Sequence, residues 1–181
     1  MVVVVALARQ IGVMHERIKP VGALSLGKVI KAGETAPAFT LPSLTGGSVT
    51  LGGAAALGQS TLLFFLSPTC PVCKTLLPVL KSVRDSEMGW LRVVFASDGT
   101  ESEHQAFIQR YDLDAFPYLN SMEVGVAYQI GKLPYGVLIS AEGVVVAHGL
   151  INNREHLESL FEAKGRGFSS MLAYQQASAQ T

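Results

Sequence analysis

The sequence contains few charges and no block of charge of one sign. Its 181 residues include 14 lysines and arginines and 14 aspartates and glutamates, which together make up only 15% of the chain. Binding to a phosphate backbone requires a basic stripe, so the charge pattern argues against nucleic acid as a partner. The length favours one folded domain with a sizeable core and a single active site.

Apolar runs long enough to span a membrane are also absent, although 49% of the residues are hydrophobic. The uncharged N-terminal run of residues 1–8 is too short, because a bilayer requires about twenty residues. Basic residues follow this run, whereas in a signal peptide they precede it. We therefore interpret residues 1–30 as the remnant of an N-terminal membrane anchor with its connector; a buried terminal strand or helical turn is the alternative.

Residues 31–165 show the pattern of an α/β domain. A nearly continuous apolar run at 60–66 is typical of a strand buried on both faces of a sheet. Apolar residues three and four positions apart predict a helix over 72–87. A second strand and a second helix are predicted over 91–96 and 102–111, and this alternation implies parallel pairing of the strands.

A hairpin of strands and a last helix complete the predicted domain. The strands are predicted over 135–140 and 144–147, and the helix over 153–164, with Asn152 as its N-terminal cap. Residues 166–181 form a short polar tail, which we interpret as a loosely docked helix or a disordered segment.

Cysteine is scarce, because the chain contains only Cys70 and Cys73, placed where the first buried strand turns into a helix. Pro71 occupies the expected first helical position, where an amide hydrogen has no helical partner. A sulfur at the helix N-cap faces unpaired amides and the positive end of the helix dipole, which favours the thiolate. Cys70 is thus predicted to attack, and Cys73, on the buried stripe one turn further in, to resolve mixed disulfides.

Other uses of a cysteine pair fit this chain less well. Haem attachment requires a histidine directly after the second cysteine, where the chain has Lys74. A closed zinc site needs four ligands, and the four histidines are scattered without paired spacing. A purely structural disulfide would close too small a loop to constrain the unfolded chain much. The pattern favours a redox-active disulfide, with no metal and no other cofactor.

The histidines give no catalytic signal. We interpret His148, at the end of a predicted strand, and His156, on the solvent side of a predicted helix, as non-catalytic. Nothing in the sequence argues for a role of His104.

The segment Ser67-Pro-Thr-Cys-Pro-Val-Cys-Lys74 resembles the active-site segment of the thioredoxin superfamily. The resemblance implies a thioredoxin-like α/β fold, in which a central mixed β-sheet is flanked by helices. It implies an active-site helix that includes Pro71 and Val72 between the cysteines and is interrupted by Pro78, five residues after the second cysteine.

The later tripeptide Leu133-Pro134-Tyr135 matches a second feature of that superfamily. The resemblance implies a cis peptide bond before Pro134, at the start of a strand that faces the disulfide. The backbone of Leu133 would then lie beside Cys70 and pair with an extended substrate segment. A trans proline at the start of an edge strand is the alternative.

Residues 33–42 and 63–74 are similar to the MauD family of methylamine utilisation proteins. This similarity implies an anchor in the bacterial inner membrane and a domain facing the periplasm. It also implies a membrane redox partner and a disulfide-containing client, the small subunit of methylamine dehydrogenase, whose disulfides are formed or isomerised. Basic residues after the apolar stub argue for the cytoplasmic side, but disulfide exchange is useful in the periplasm, which we favour.

Several positions depart from related families. Phe64 stands where thioredoxins have a buried aspartate, and Leu76 where reductive relatives in cytochrome c maturation have a glutamate. Leu63 and Ser67 stand where the peroxiredoxin pattern has proline and threonine. Because no carboxylate is evident to accept a proton from Cys73, we expect oxidation or isomerisation of a client, not fast general reduction.

The leading expectation is therefore a thiol-disulfide oxidoreductase. A reductive thioredoxin-like protein for cytochrome c maturation is one alternative. A copper-handling chaperone, in which both cysteines and a histidine act as soft ligands, is another from a different class.

Overall fold

A computed structural model describes residues 30–53 and 58–166 of the chain. The predicted anchor and connector, apart from residue 30, and the tail beyond residue 166 lie outside these described residues. In chain order the elements are β1 (Phe39–Pro42), β2 (Ser48–Leu51), β3 (Ser60–Phe65), α1 (Pro71–Glu87), β4 (Leu91–Ser97), α2 (Glu101–Arg110), β5 (Tyr118–Asn120), α3 (Met122–Ala127), β6 (Tyr135–Ile139), β7 (Val145–Leu150) and α4 (Arg154–Arg166).

A mixed five-stranded sheet forms the centre of the fold, with the strand order β5-β4-β3-β6-β7. β3 is the middle strand, and all six of its residues are buried, as its continuous apolar run predicts. β4 and β5 extend the sheet on one side in parallel, whereas β6 and β7 extend it on the other side in antiparallel fashion. The predicted parallel pairing of the first two buried strands and the predicted later hairpin are confirmed.

Two apolar cores lie on opposite faces of the sheet, because successive side chains of a strand point to opposite sides. Leu62 and Phe64 of β3 contribute to the core that α1, α2 and α4 cover. Leu63 and Phe65 contribute to the second core, which the β1–β2 hairpin and α3 cover. The sheet is thus covered on both faces, in agreement with the predicted thioredoxin-like fold.

The β1–β2 hairpin is expected from the glycine pair at 46–47 followed by the strand pattern of 48–51, whereas the sequence patterns did not reveal β5 and α3. They have three and six residues, too few for a strand or helix periodicity to stand out. β5 is defined by its pairing with β4, in which Tyr118 lies opposite Phe95.

The N-terminal cap of α4 differs from the prediction by one residue. The amide of His156 donates to the side-chain oxygen of Asn153 at 2.9 Å, so Asn153 and not Asn152 caps the helix. A capping side chain must reach an amide two or three residues ahead, which Asn153 does here. Within the described part of the chain, no helix is both long and apolar enough to cross a membrane.

Candidate active site

The strand directions bring two distant segments of the chain to one edge of the sheet. β6 runs antiparallel to β3, and Tyr135, its first residue, lies opposite Phe65, the last residue of β3. The chain therefore leaves β3 toward Cys70 and enters β6 from Pro134 at the same edge. The two segments that resemble the thioredoxin superfamily both lie there.

The two cysteines form a disulfide at the beginning of α1, with their Cα atoms 5.3 Å apart. Cys70 is the N-cap residue, and its sulfur accepts a hydrogen bond from the amide of Cys73 at 3.2 Å. Cys70 is half-buried, whereas Cys73 is completely buried in the apolar core under the helix. An incoming thiolate can thus reach the sulfur of Cys70 but not that of Cys73.

The helix that follows the cysteines is organised as its pattern predicts. Its buried residues are Cys73, Leu76, Leu77, Leu80 and Val83, three or four positions apart. Pro71 opens the helix and Pro78 lies within it. Pro71, Pro78 and Val72 face solvent, and the Val72 side chain is 39% exposed. These three residues therefore contribute exposed apolar surface near the disulfide.

The peptide bond between Leu133 and Pro134 is cis, as the resemblance implies. Pro134 is buried, and its carbonyl accepts a hydrogen bond from the amide of Ile151 at 3.1 Å. The Leu133 side chain is 39% exposed. Among the residues that the structure describes, none forms a backbone hydrogen bond with Leu133. Its amide and carbonyl can therefore pair with a strand from another protein.

The positions at which related proteins have carboxylates are apolar and buried here. Phe64 is fully buried and packs edge-on against Phe95, with the ring centroids 6.2 Å apart. Leu76 lies in the same core. The buried polar residues of the described chain are Ser60, Thr61, Ser97 and His104. None of these is a carboxylate, so no buried acid of the described chain can exchange a proton with Cys73.

Two histidines form contacts that the sequence did not predict. The His148 Nδ1 atom lies 2.8 Å from the hydroxyl of Tyr135, the residue directly after Pro134. Burial lowers the pKa of His148, against an opposing effect of the Glu34 charge, and burial raises the pKa of Tyr135. A tyrosine directly after Pro134 is the sequence feature that could have directed attention to this pair.

His104 is also buried, with its Nδ1 atom 3.0 Å from the hydroxyl of Tyr118 and its Nε2 atom 3.1 Å from the carbonyl oxygen of Asp98. Both ring nitrogens have a hydrogen-bond partner, so His104 belongs to a buried hydrogen-bonded group. Within the described ranges, no group of three or more histidine, cysteine, aspartate or glutamate side chains is arranged to hold a metal ion.

Comparison with known proteins identifies a broad protein family and a fold for this chain. Residues 32–151 match the AhpC/TSA family. A thiol-disulfide oxidoreductase from Bacteroides fragilis has a similar fold, with a TM-score of 0.60 and 21% identity over 71% of this chain and 98% of that chain. The thioredoxin domain of a Bacteroides vulgatus thiol-disulfide oxidoreductase matches with a TM-score of 0.59 and 23% identity, over 70% and 95% of the two chains. This protein therefore belongs to the AhpC/TSA family and has the same fold as these two oxidoreductases, with a disulfide at the start of α1.

More similar sequences identify the particular family. The methylamine utilization protein MauD of Methylorubrum extorquens is 48% identical over 170 residues, which are 94% of this chain and 82% of the relative. MauD of Paracoccus denitrificans is 46% identical over 173 residues, which are 96% and 86% of the two chains. The chain belongs to the MauD family, as the resemblance of residues 33–42 and 63–74 predicts.

Proposed function

We propose that this protein forms or isomerises disulfides in a client protein, with Cys70 as the attacking sulfur and Cys73 as the resolving sulfur. The observation that carries the proposal is the asymmetry of the pair. Cys70 is accessible and accepts an amide hydrogen bond at the helix N-cap, whereas Cys73 is fully buried. This arrangement supports entry of the client at Cys70, with Cys73 as the leaving sulfur in oxidation and as the resolving sulfur for a mixed disulfide that no client thiol releases.

In the oxidising direction, a client thiolate attacks the Cys70 sulfur and the Cys70–Cys73 bond breaks. Cys73 leaves as a thiolate and takes up a proton. A second client thiolate then attacks the client sulfur of the mixed disulfide and releases Cys70. The client gains one disulfide and the protein gains two thiols, so two electrons have moved. A membrane protein with its own disulfide accepts these electrons and restores the Cys70–Cys73 bond.

In isomerisation, the reduced Cys70 attacks a client disulfide, and a different client thiol later releases Cys70. The client then exchanges one disulfide for another, and no net electron transfer occurs. Fast general reduction would instead require Cys73 to lose its proton and attack the mixed disulfide. Phe64 and Leu76 provide no proton acceptor for that step, which favours oxidation or isomerisation.

The client segment is proposed to bind along the cis-proline turn. The backbone of Leu133, which forms no hydrogen bond with the part of the chain that the structure describes, supports pairing with an extended chain, and its side chain adds exposed apolar surface. Leu133 and Pro134 thus form the proposed substrate groove beside Cys70, with Val72 on the helix side.

The proposed client is the small subunit of methylamine dehydrogenase. Membership of a family named for methylamine utilization supports this choice. The proposed location is the periplasmic face of the bacterial inner membrane, because thiols are kept reduced in the cytoplasm and disulfides persist outside it. A peroxidase has less support, since Leu63 and Ser67 differ from the peroxiredoxin pattern.

Trapping of mixed disulfides tests the proposal. A Cys73→Ala variant, produced in cells that make methylamine dehydrogenase, lacks the resolving sulfur, so mixed disulfides that no second client thiol releases accumulate at Cys70. We expect to isolate a covalent complex that dithiothreitol separates by reducing the mixed disulfide. Mass spectrometry should identify the dehydrogenase small subunit in this complex. Cys70→Ala is the control and should trap nothing. Recovery of cytochrome c apoproteins alone would support the reductive alternative, and copper bound to the purified protein would support the chaperone.

A further inference from the structure

The loop that leads to Cys70 is tied to the rest of the fold mainly at Leu66. The Leu66 amide donates to the carbonyl of Ala96 at 3.0 Å, and the Ser97 hydroxyl donates to the carbonyl of Leu66 at 2.8 Å. Beyond Leu66, the described bonds of this loop are local, such as the amide of Cys70 to the carbonyl of Ser67 at 3.0 Å. A side chain of β4 therefore supplies one of the two bonds that hold the loop.

A buried hydrogen-bonded pair lies on the elements next to Ser97. Tyr118 of β5 is completely buried, and its hydroxyl lies 3.0 Å from Nδ1 of His104, which is 1% exposed. Because the carbonyl oxygen of Asp98 can only accept, it pairs with a proton on Nε2 of His104, and Nδ1 accepts from the Tyr118 hydroxyl. The Tyr118 proton is thus directed to His104, whereas the Ser97 proton is donated to the Leu66 carbonyl.

The acceptor of the Ser97 proton is the Leu66 carbonyl. Ser97 is 6% exposed, so water cannot readily replace this contact. Its hydroxyl thereby fixes the active-site loop to β4.

We propose that Ser97 is a positioning residue for disulfide exchange, which acts by holding the carbonyl of Leu66 and through it the sulfur of Cys70. The proposal rests on the proposed function of the cysteine pair. The bond from the Cys73 amide to the Cys70 sulfur is 3.2 Å long, and such bonds weaken steeply when distance and angle change. A loop that shifts by a fraction of an ångström loses part of the interaction that favours the thiolate.

The experiment measures how fast iodoacetamide alkylates Cys70 in the reduced full-length protein as a function of pH, with peptide mass spectrometry to identify the modified sulfur. Ser97→Ala is expected to lower the rate near neutral pH about three- to tenfold. It should also shift the curve of alkylation rate against pH, which we call the Cys70 profile, to higher pH. Exchange with a reduced model client should slow by a similar factor.

Thr45→Val is the matched control. The Thr45 hydroxyl donates to the carbonyl of Phe116 at 2.7 Å, which is also a bond between a side chain and a distant backbone carbonyl. Phe116 precedes β5, which is an edge strand of the sheet, whereas Cys70 follows the middle strand β3. We expect Thr45→Val to destabilise the fold to a similar extent while leaving the Cys70 profile unchanged.

A second pair of variants separates the Ser97 hydroxyl from general effects on folding. Ser97→Thr keeps the hydroxyl that donates to the Leu66 carbonyl. Tyr128→Phe removes another buried hydroxyl, which donates to the carbonyl of Pro37 at 2.9 Å. Neither variant should shift the pH dependence of Cys70 alkylation.

The inference is wrong if the pH dependence of Cys70 alkylation is the same in wild type and Ser97→Ala, or if Ser97→Thr or the control variants shift it as much as Ser97→Ala does. This outcome is distinct from failure of the proposed function. If wild-type Cys70 reacts no faster than an ordinary thiol, the role of the cysteine pair fails. If wild-type Cys70 is reactive and Ser97→Ala matches it, only the positioning role fails.

Discussion

The amide nitrogen of Cys73 lies 3.2 Å from the sulfur of Cys70 and donates a hydrogen bond to it. The residue that resolves the mixed disulfide in our proposal thus also stabilises, through its backbone, the charge on the attacking sulfur. The helix dipole acts in the same direction.

This relationship predicts a large difference in reactivity between the two thiols of the reduced protein. Cys70 is half-buried and placed at the helix N-cap, whereas Cys73 is fully buried. We expect iodoacetamide at neutral pH to modify Cys70 at least about tenfold faster than Cys73. In the protein unfolded in urea the two rates should become similar, which is the control. Similar rates in the folded protein would contradict the assignment of roles.

A second prediction concerns the reduction potential of the disulfide. Because Phe64 and Leu76 place apolar groups where reductive relatives have carboxylates, the pair should be less reducing than thioredoxin, whose potential is about −270 mV. Equilibration with glutathione buffers, followed by alkylation and mass spectrometry, measures this potential. A value as low as that of thioredoxin would argue for the reductive alternative.

The main elements of the fold and the cysteine pair could be predicted from the sequence because their signals are local. β3 is a continuous apolar run, and α1 repeats its buried residues every three or four positions. Both features show which side of an element is buried without knowledge of its neighbours. The position of Cys70 follows directly, since it lies at the junction of these two elements.

The buried pair formed by His104 and Tyr118 could not be predicted in this way. Each residue is ordinary in its own segment, and the two belong to α2 and β5. The position of Tyr118 depends on the pairing of β4 with β5, a strand of three residues that is too short to recognise by periodicity. The same limit applies to Tyr135 and His148, which meet because β6 pairs with β7.

A third prediction follows from the pKa of His148, which burial lowers from its ordinary value of 6.5, against the opposing charge of Glu34. The unfolded chain then binds a proton at a higher pH than the folded protein does. The contribution of His148 to stability is therefore complete above about pH 6.5 and is lost as the pH falls through the lower pKa of the folded state.

His148→Asn removes this titration and keeps a side-chain oxygen that can accept from Tyr135. Urea unfolding between about pH 7.5 and 5 should show a smaller loss of unfolding free energy for the variant than for wild type. If both proteins lose the same unfolding free energy over this pH range, the lowered pKa of His148 does not contribute to the pH dependence of stability.

The last prediction tests the substrate groove at Leu133. Leu133→Glu replaces an exposed apolar side chain next to the cis-proline turn with a charge, which an apolar client segment would have to desolvate. We expect the second-order rate of mixed-disulfide formation with a reduced client to fall about tenfold, corresponding to roughly 1.4 kcal/mol of lost binding energy. Val126→Glu is the matched control, because Val126 is 65% exposed on α3, outside the groove. An equal loss in both variants would show that surface charge in general, and not the position of Leu133, determines the rate.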